Sequence, residues 1–117
     1  MVIMRYICFK VNCRFKKWTP ALGYILNVLN LIQNKAPWIP DLVVTSVNDG
    51  KHMQNSKHYT DEAVDLRTRD FKSSDDKEHF IKLLREYLGP KFTVLHESVG
   101  TANEHIHVQV KKGTVYL

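Results

Sequence analysis

His105-Ile106-His107-Val108-Gln109-Val110 alternates polar and apolar residues at every step, the period of a strand with one buried and one open face. Phe92 to His96 carries a similar pattern, and the two runs read as an antiparallel pair joined by a loop around Gly100. Upstream, Leu42 to Val47 reads as a buried strand ending at the turn signal Asn48-Asp49-Gly50, and Ala63 to Leu66 as a short strand. Two helices complete the set. Thr19 offers an N-cap with Pro20 at the first helical position, and Leu22, Ile25, Leu26, Leu29 and Ile32 recur at helical spacing to an end near Asn34. Asp75 and Asp76 open the second, with Phe80, Leu83, Leu84, Tyr87 and Leu88 toward the core and Gly89-Pro90 as the stop. Trp38 is expected to pack beneath the connection bracketed by Pro37 and Pro40. The order predicts an α+β domain, a small antiparallel sheet with its helices packed on one face.

The open face is where chemistry is expected. Ile106, Val108 and Val110 point one way and His105, His107 and Gln109 the other, while Val64 and Leu66 leave Asp65 opposite to them. If the aliphatic sides of both strands meet the helices, Asp65 and His107 emerge together. Residues 50–62 lack periodicity and read as a polar loop carrying His52, Ser56 and His58, so His58 has only to fold over to make a third ligand. Two imidazoles and a carboxylate suit a catalytic zinc site, because three protein ligands leave a tetrahedral metal one open position.

The spacing is more specific than the residue types. Ser56-Lys57-His58-Tyr59-Thr60-Asp61-Glu62-Ala63-Val64-Asp65 sets a histidine seven residues before an aspartate, and Glu104-His105-Ile106-His107 follows as Glu-x-x-His. This resembles the zinc peptidases of the D-alanyl-D-alanine carboxypeptidase family, which includes vancomycin-resistance D,D-dipeptidases and phage L-alanyl-D-glutamate endolysins. Their first motif runs Ser-x-His-x-x-Gly-x-Ala-x-Asp, and Ser56, His58, Ala63 and Asp65 stand in register with it over a resemblance spanning roughly residues 18–110. The resemblance implies Zn²⁺ held by His58, Asp65 and His107 on the open face, with Glu104 as general base and peptidoglycan stem peptides as substrate. His105 shares the face of His107 and is an alternative ligand or a substrate contact. His52 and Ser56 are expected at the rim of the cleft, Ser56 orienting loop or substrate rather than attacking, since no triad partner is evident. Strict alternation turns Glu104 away from His107, so the resemblance requires the incoming loop or a bulge to bring it back. His79 and His96 read as surface or satisfied core residues.

Two departures from the pattern bear on specificity. Asp61 occupies the motif's glycine position, and the stretch Thr45 to His52 holds no arginine where many relatives have one that polarises the scissile carbonyl. Lys51 or His52 is the available replacement. The family's fold also includes hedgehog-type members that hold zinc and act as binding modules, and the missing arginine keeps that alternative in play.

Bulk properties agree with one small domain. The chain has 117 residues, 44% hydrophobic and 25% charged, with a net charge of +5. That charge favours an anionic partner without choosing one; the basic residues are spread out rather than interleaved with aromatics, so nucleic acid is not expected. Cys8 and Cys13 have no zinc-knuckle spacing and, on a strand, point to opposite faces, so reduced thiols are expected. Residues 1–17 read either as an N-terminal strand or as a flexible basic leader ahead of a domain over 18–117. Arg5 and Lys10 interrupt the apolar start, which makes a poor signal peptide and no membrane span. A small basic chain of this kind is expected to reach the wall through a holin or with a phage particle.

Overall fold

A computed structural model describes residues 4–13, 18–47 and 62–111. Within them the elements run β1 (Cys8–Phe9), α1 (Pro20–Gln33), β2 (Val43–Val47), β3 (Ala63–Arg67), α2 (Ser74–Leu88), β4 (Phe92–Glu97) and β5 (His105–Val110). They form a small α+β domain with a five-stranded mixed sheet of order β1-β2-β3-β5-β4.

The helices start where their caps dictate. The Leu22 N–H donates to Thr19 Oγ1 at 3.2 Å, satisfying one orphan donor of α1. The same hydroxyl reaches Glu62 Oε2 at 3.3 Å and ties the head of α1 to the approach of β3. In α2 the cap is Ser73, whose hydroxyl accepts from the Asp76 N–H at 3.1 Å, and Asp75 and Asp76 lie in the first turn, where the helix dipole favours carboxylates. Phe80, Ile81, Leu84 and Leu88 are the buried residues of α2. The stripe is therefore rotated from the expected one: Ile81 goes in, while Tyr87 stays at the margin with the Lys35 ammonium 5.5 Å over its ring.

Leu22, Ile25, Leu29 and Ile32 of α1 meet Phe80 and Leu84 of α2 and the inner face of the sheet in one core. Val64, Leu66, Ile106, Val108 and Val110 supply that inner face, each 1% exposed or less. A register shift between Val44 and Ser46 in β2 leaves Thr45 as the extra residue. The bulge matters because Val44 and Val47 stand three apart yet both are buried, which strict alternation forbids. Trp38 is partly buried against the core and stacks on His79 with ring centroids 4.7 Å apart.

The sheet was expected to be wholly antiparallel, and its first edge is not. β1 pairs with β2 in parallel, Cys8 opposite Val43 and Phe9 opposite Val44. A parallel neighbour needs a crossover, and α1 provides it by carrying the chain from one end of the sheet back to the other. Arg5 pins the segment before β1: its guanidinium donates to the carbonyls of Ile39, at 2.7 Å, and of Gln33, and pairs with Asp41 at 3.2 Å. Asn34 closes the joint in both directions, accepting the Arg5 N–H at 2.8 Å and donating to the Arg5 carbonyl at 2.6 Å.

Candidate functional site

The register of the four antiparallel strands, β2, β3, β5 and β4, decides what meets on the open face. β3 and β5 pair without interruption, with Asp65 opposite His107 and Arg67 opposite His105. On the other side of β5, Leu95 stands opposite His107 and Glu97 opposite His105. Two cross-strand rows result, Ser46-Asp65-His107-Leu95 and Arg67-His105-Glu97. Directly opposed side chains on one face lie within contact distance.

Asp65 and His107 use that proximity. The His107 Nδ1–H donates to Asp65 Oδ1 at 2.6 Å, and Nε2 meets Gln109 Oε1 at the same distance. Both ring nitrogens face oxygen, an arrangement an imidazolium satisfies. The Asp65 hydrogen bond raises the pKa of His107, with burial opposing and Gln109 assisting. His105 is similarly placed, with Nδ1 2.8 Å from the Asn103 carbonyl and Nε2 3.0 Å from Glu97 Oε1 and 4.0 Å from Asp65. Burial pulls its pKa down, but the Asn103 carbonyl and the carboxylates of Asp65 and Glu97 together raise it.

Glu104 goes elsewhere. It lies immediately before β5, and with the pairing of β5 regular its side chain follows Ile106 to the helix side rather than His107 to the open side. There it accepts from Lys77 Nζ at 3.0 Å and from His96 Nε2 at 2.6 Å, and the Gly100 N–H approaches at 3.4 Å. His96 and Lys77 hold the Glu104 pKa down to about 2. Neither partner was singled out in the sequence as a neighbour of Glu104. Parity carried the signal: once β4 and β5 pair around Gly100, His96 falls opposite Ile106 and shares its face.

The two regions open onto one cavity of about 720 Å³, at the end of the sheet where β5 begins. Asp65, Arg67, His105, Glu104, Lys77 and Arg69 line it, with Lys10 reaching in from the residue after β1. Arg67 is committed to Asp70 through two bonds of 2.7 and 3.0 Å, a bidentate pair that raises its pKa. The cavity thus presents cationic groups around two carboxylates, a lining suited to an anionic or zwitterionic ligand.

His52, Ser56 and His58, with Asp61, lie outside the described residues. Among the described residues no three of His, Cys, Asp and Glu converge as a metal site. The two expected ligands that are described do fit such a role in kind. Asp65 Oδ1 and His107 Nδ1 approach to 2.6 Å, and two ligands of a tetrahedral zinc with bonds of ~2.0–2.1 Å stand ~3.3 Å apart. A rotation of one side chain by well under ~1 Å at its tip separates one from the other. No helix among the described residues is long and apolar enough to cross a membrane. Comparison of the chain with protein-family models, with curated proteins and with solved structures yields no match.

Proposed function

We propose that this chain is a zinc-dependent peptidase acting on the stem peptides of peptidoglycan. The observation that carries the reading is the Asp65–His107 pair, opposed on adjacent strands of the open face beside a cavity that also reaches Glu104. Asp65 and His107 would hold the metal with His58 as third ligand. Bound there, zinc would polarise the scissile carbonyl and acidify the attacking water. Glu104, held on the helix side by Lys77 and His96, would have to turn toward the open face to act as general base. There it would take the proton of the attacking water and pass it to the amine nitrogen as the C–N bond breaks. Arg69, Lys10 and His105 suit the carboxylates of a stem peptide. The reading draws equally on the first-motif spacing Ser56 to Asp65 and on Glu104-x-x-His107.

One observation favours a second reading, a zinc-containing binding module without catalysis. A carboxylate with a pKa of about 2, held by Lys77 and His96, is a poor proton acceptor at neutral pH. Catalysis then requires substrate to draw Glu104 away from His96. Glu104→Gln separates the two. The variant keeps its metal in either case, since Glu104 is not a proposed ligand. A peptidase releases stem peptides from purified peptidoglycan and loses about 10²- to 10⁴-fold in rate on the substitution. A binding module releases none before or after it. Undiminished hydrolysis by Glu104→Gln would refute the assignment of the base, and loss of zinc from it would refute the ligand set.

A further inference from the structure

Lys10, Arg67, Arg69 and Lys77 line the cavity at the end of the sheet, against the carboxylates of Asp65 and Glu104. Two of these cations are already matched, Arg67 by Asp70 and Lys77 by Glu104. Lys10 and Arg69 are exposed and make no ion pair among the described residues. Both stand on fixed backbone. The Lys10 N–H donates to the Val44 carbonyl at 2.8 Å, which holds the residue beside the bulge at Thr45. Arg69 sits in the turn after β3, between Thr68 and Phe71, both buried and joined by a hydrogen bond from the Phe71 N–H to the Thr68 carbonyl at 3.1 Å. Like charges gathered in one cavity repel, and an anion placed between them relieves that repulsion.

Arg67 adds directed donors to the same wall. Its Nε and Nη2 each donate one hydrogen to Asp70, and a guanidinium has five N–H groups, so the remainder stay available. The fork with Asp70 fixes the plane that carries them. Arg67 follows Asp65 by two residues on β3 and so shares its open face.

We propose that Lys10, Arg67 and Arg69 form a seat for a carboxylate of a bound peptide. The volume of about 720 Å³ is that of a small-molecule site and far exceeds a lone ion. Asp65 and Glu104 in the same lining repel a polyanion, whereas a single carboxylate at the cationic side stands clear of them. Thr45 and Asn103 offer the neutral donors and acceptors that a peptide backbone uses. The carboxylate is that of a chain terminus or of an acidic side chain, since both present the same pair of oxygens to the three cations. The seat deepens the peptidase reading by naming the substrate group that is held, and it rests on that reading for turnover. Binding to the metal-free chain does not depend on it.

The test is an NMR titration of the full, metal-free chain with short peptides. Acetyl-alanyl-alanine carries a free terminal carboxylate, acetyl-alanyl-glutamate amide only a side-chain one, and acetyl-alanyl-alanine amide none. Inorganic phosphate is the fourth probe. At least one carboxylate peptide should bind about tenfold more tightly than the peptide without one and weaken as salt is raised, and which of them binds identifies the source. The shifted amides should centre on Lys10, Arg69 and Asn103. Lys10→Gln and Arg69→Gln, both at exposed positions, should each weaken binding by about three- to tenfold. Arg67→Lys keeps the charge but loses the fork, and should weaken it by a similar factor. Circular dichroism of each variant guards against misfolding, and the two glutamine variants stand independently of Arg67. Equal binding of the peptide without a carboxylate, shifts centred elsewhere, or binding untouched by all three variants overturns the proposal. Phosphate bound in preference to every peptide overturns it in favour of a phosphate site. Carboxylate-dependent binding without hydrolysis by the zinc-loaded chain upholds the seat and removes the peptidase. Hydrolysis indifferent to all three variants upholds the peptidase and removes the seat.

Discussion

His107 is a base whose two nitrogens are already engaged, and its titration reports on the whole open face. Its pKa is raised, with the Asp65 hydrogen bond as the main cause. The sign follows directly. Protonated His107 stabilises the fold below the ordinary histidine pKa of about 6.5, and that contribution is lost as pH rises through the raised value. A metal ligand must shed the proton, so zinc uptake should release it and strengthen as pH rises over the same interval. The measurement is an NMR titration of the imidazole in the metal-free chain. It should titrate above about 6.5 in wild type and fall in Asp65→Asn, which keeps the shape and removes the charge. No difference between the two would sink the claim that Asp65 sets the state of His107. Glu104 has the opposite sign: its depressed pKa contributes stability above the ordinary carboxylate range, lost as pH falls toward about 2. In Glu104→Gln the part of acid destabilisation between pH ~4.3 and about 2 that belongs to this group should disappear. The meeting of Asp65 with His107 was legible from alternation in two short strands. The face that Glu104 takes was legible from the same alternation, but its pairing with Lys77 was not, because Lys77 sits on a helix and reaches the carboxylate only once the helix packs on the sheet.

The elements themselves were legible where local chemistry and burial agree. Thr19-Pro20 announced α1, and the side-chain cap and the helical N1 proline are both present. Replacing Thr19 by alanine should cost about 1 kcal/mol of unfolding free energy, and slightly more if the link to Glu62 Oε2 is also lost. Gly89 ends α2 at φ 83 and ψ −173, a region essentially reserved for glycine. A Cβ there would meet nothing within 4 Å. Gly89→Ala therefore isolates backbone strain from packing, and chemical denaturation should show a loss of about 1–3 kcal/mol. A neutral result would mean that the chain leaves α2 by a different path. What the sequence concealed at this scale was rotation and direction. The buried stripe of α2 includes Ile81, while Tyr87 lies at the surface under Lys35, a contact made from just beyond the end of α1. The bulge at Thr45 was concealed because the run Leu42-Val43-Val44 followed by Thr45-Ser46 does not alternate and so marks no face of its own.

Across the whole molecule, the least local feature is the docking of residues 4–13. Composition offered two readings of that segment, strand or leader, and periodicity could not choose, since β1 is only two residues long. Long-range hydrogen bonds hold it instead. The Arg5 guanidinium reaches the Ile39, Gln33 and Ala36 carbonyls and the Asp41 carboxylate, so one side chain satisfies the groups at the C-terminal end of α1 and the connection to β2. Arg5→Ala leaves those carbonyls to water and removes the anchor that positions β1. Hydrogen exchange resolves the consequence better than global unfolding does. The Cys8 amide donates to the Leu42 carbonyl and the Lys10 amide to the Val44 carbonyl, both at 2.8 Å, and these two bonds report the docking of β1 alone. In Arg5→Ala both should lose protection by one to two orders of magnitude, as expected when hydrogen bonds of a charged group worth about 1.5–3 kcal/mol are removed. The central amides of β3 and β5, paired to neighbours on both sides, should keep theirs. Equal loss in the central strands would mean that the edge and the core unfold as one unit. Unchanged protection at Cys8 and Lys10 would mean that the β1–β2 pairing holds the segment without Arg5.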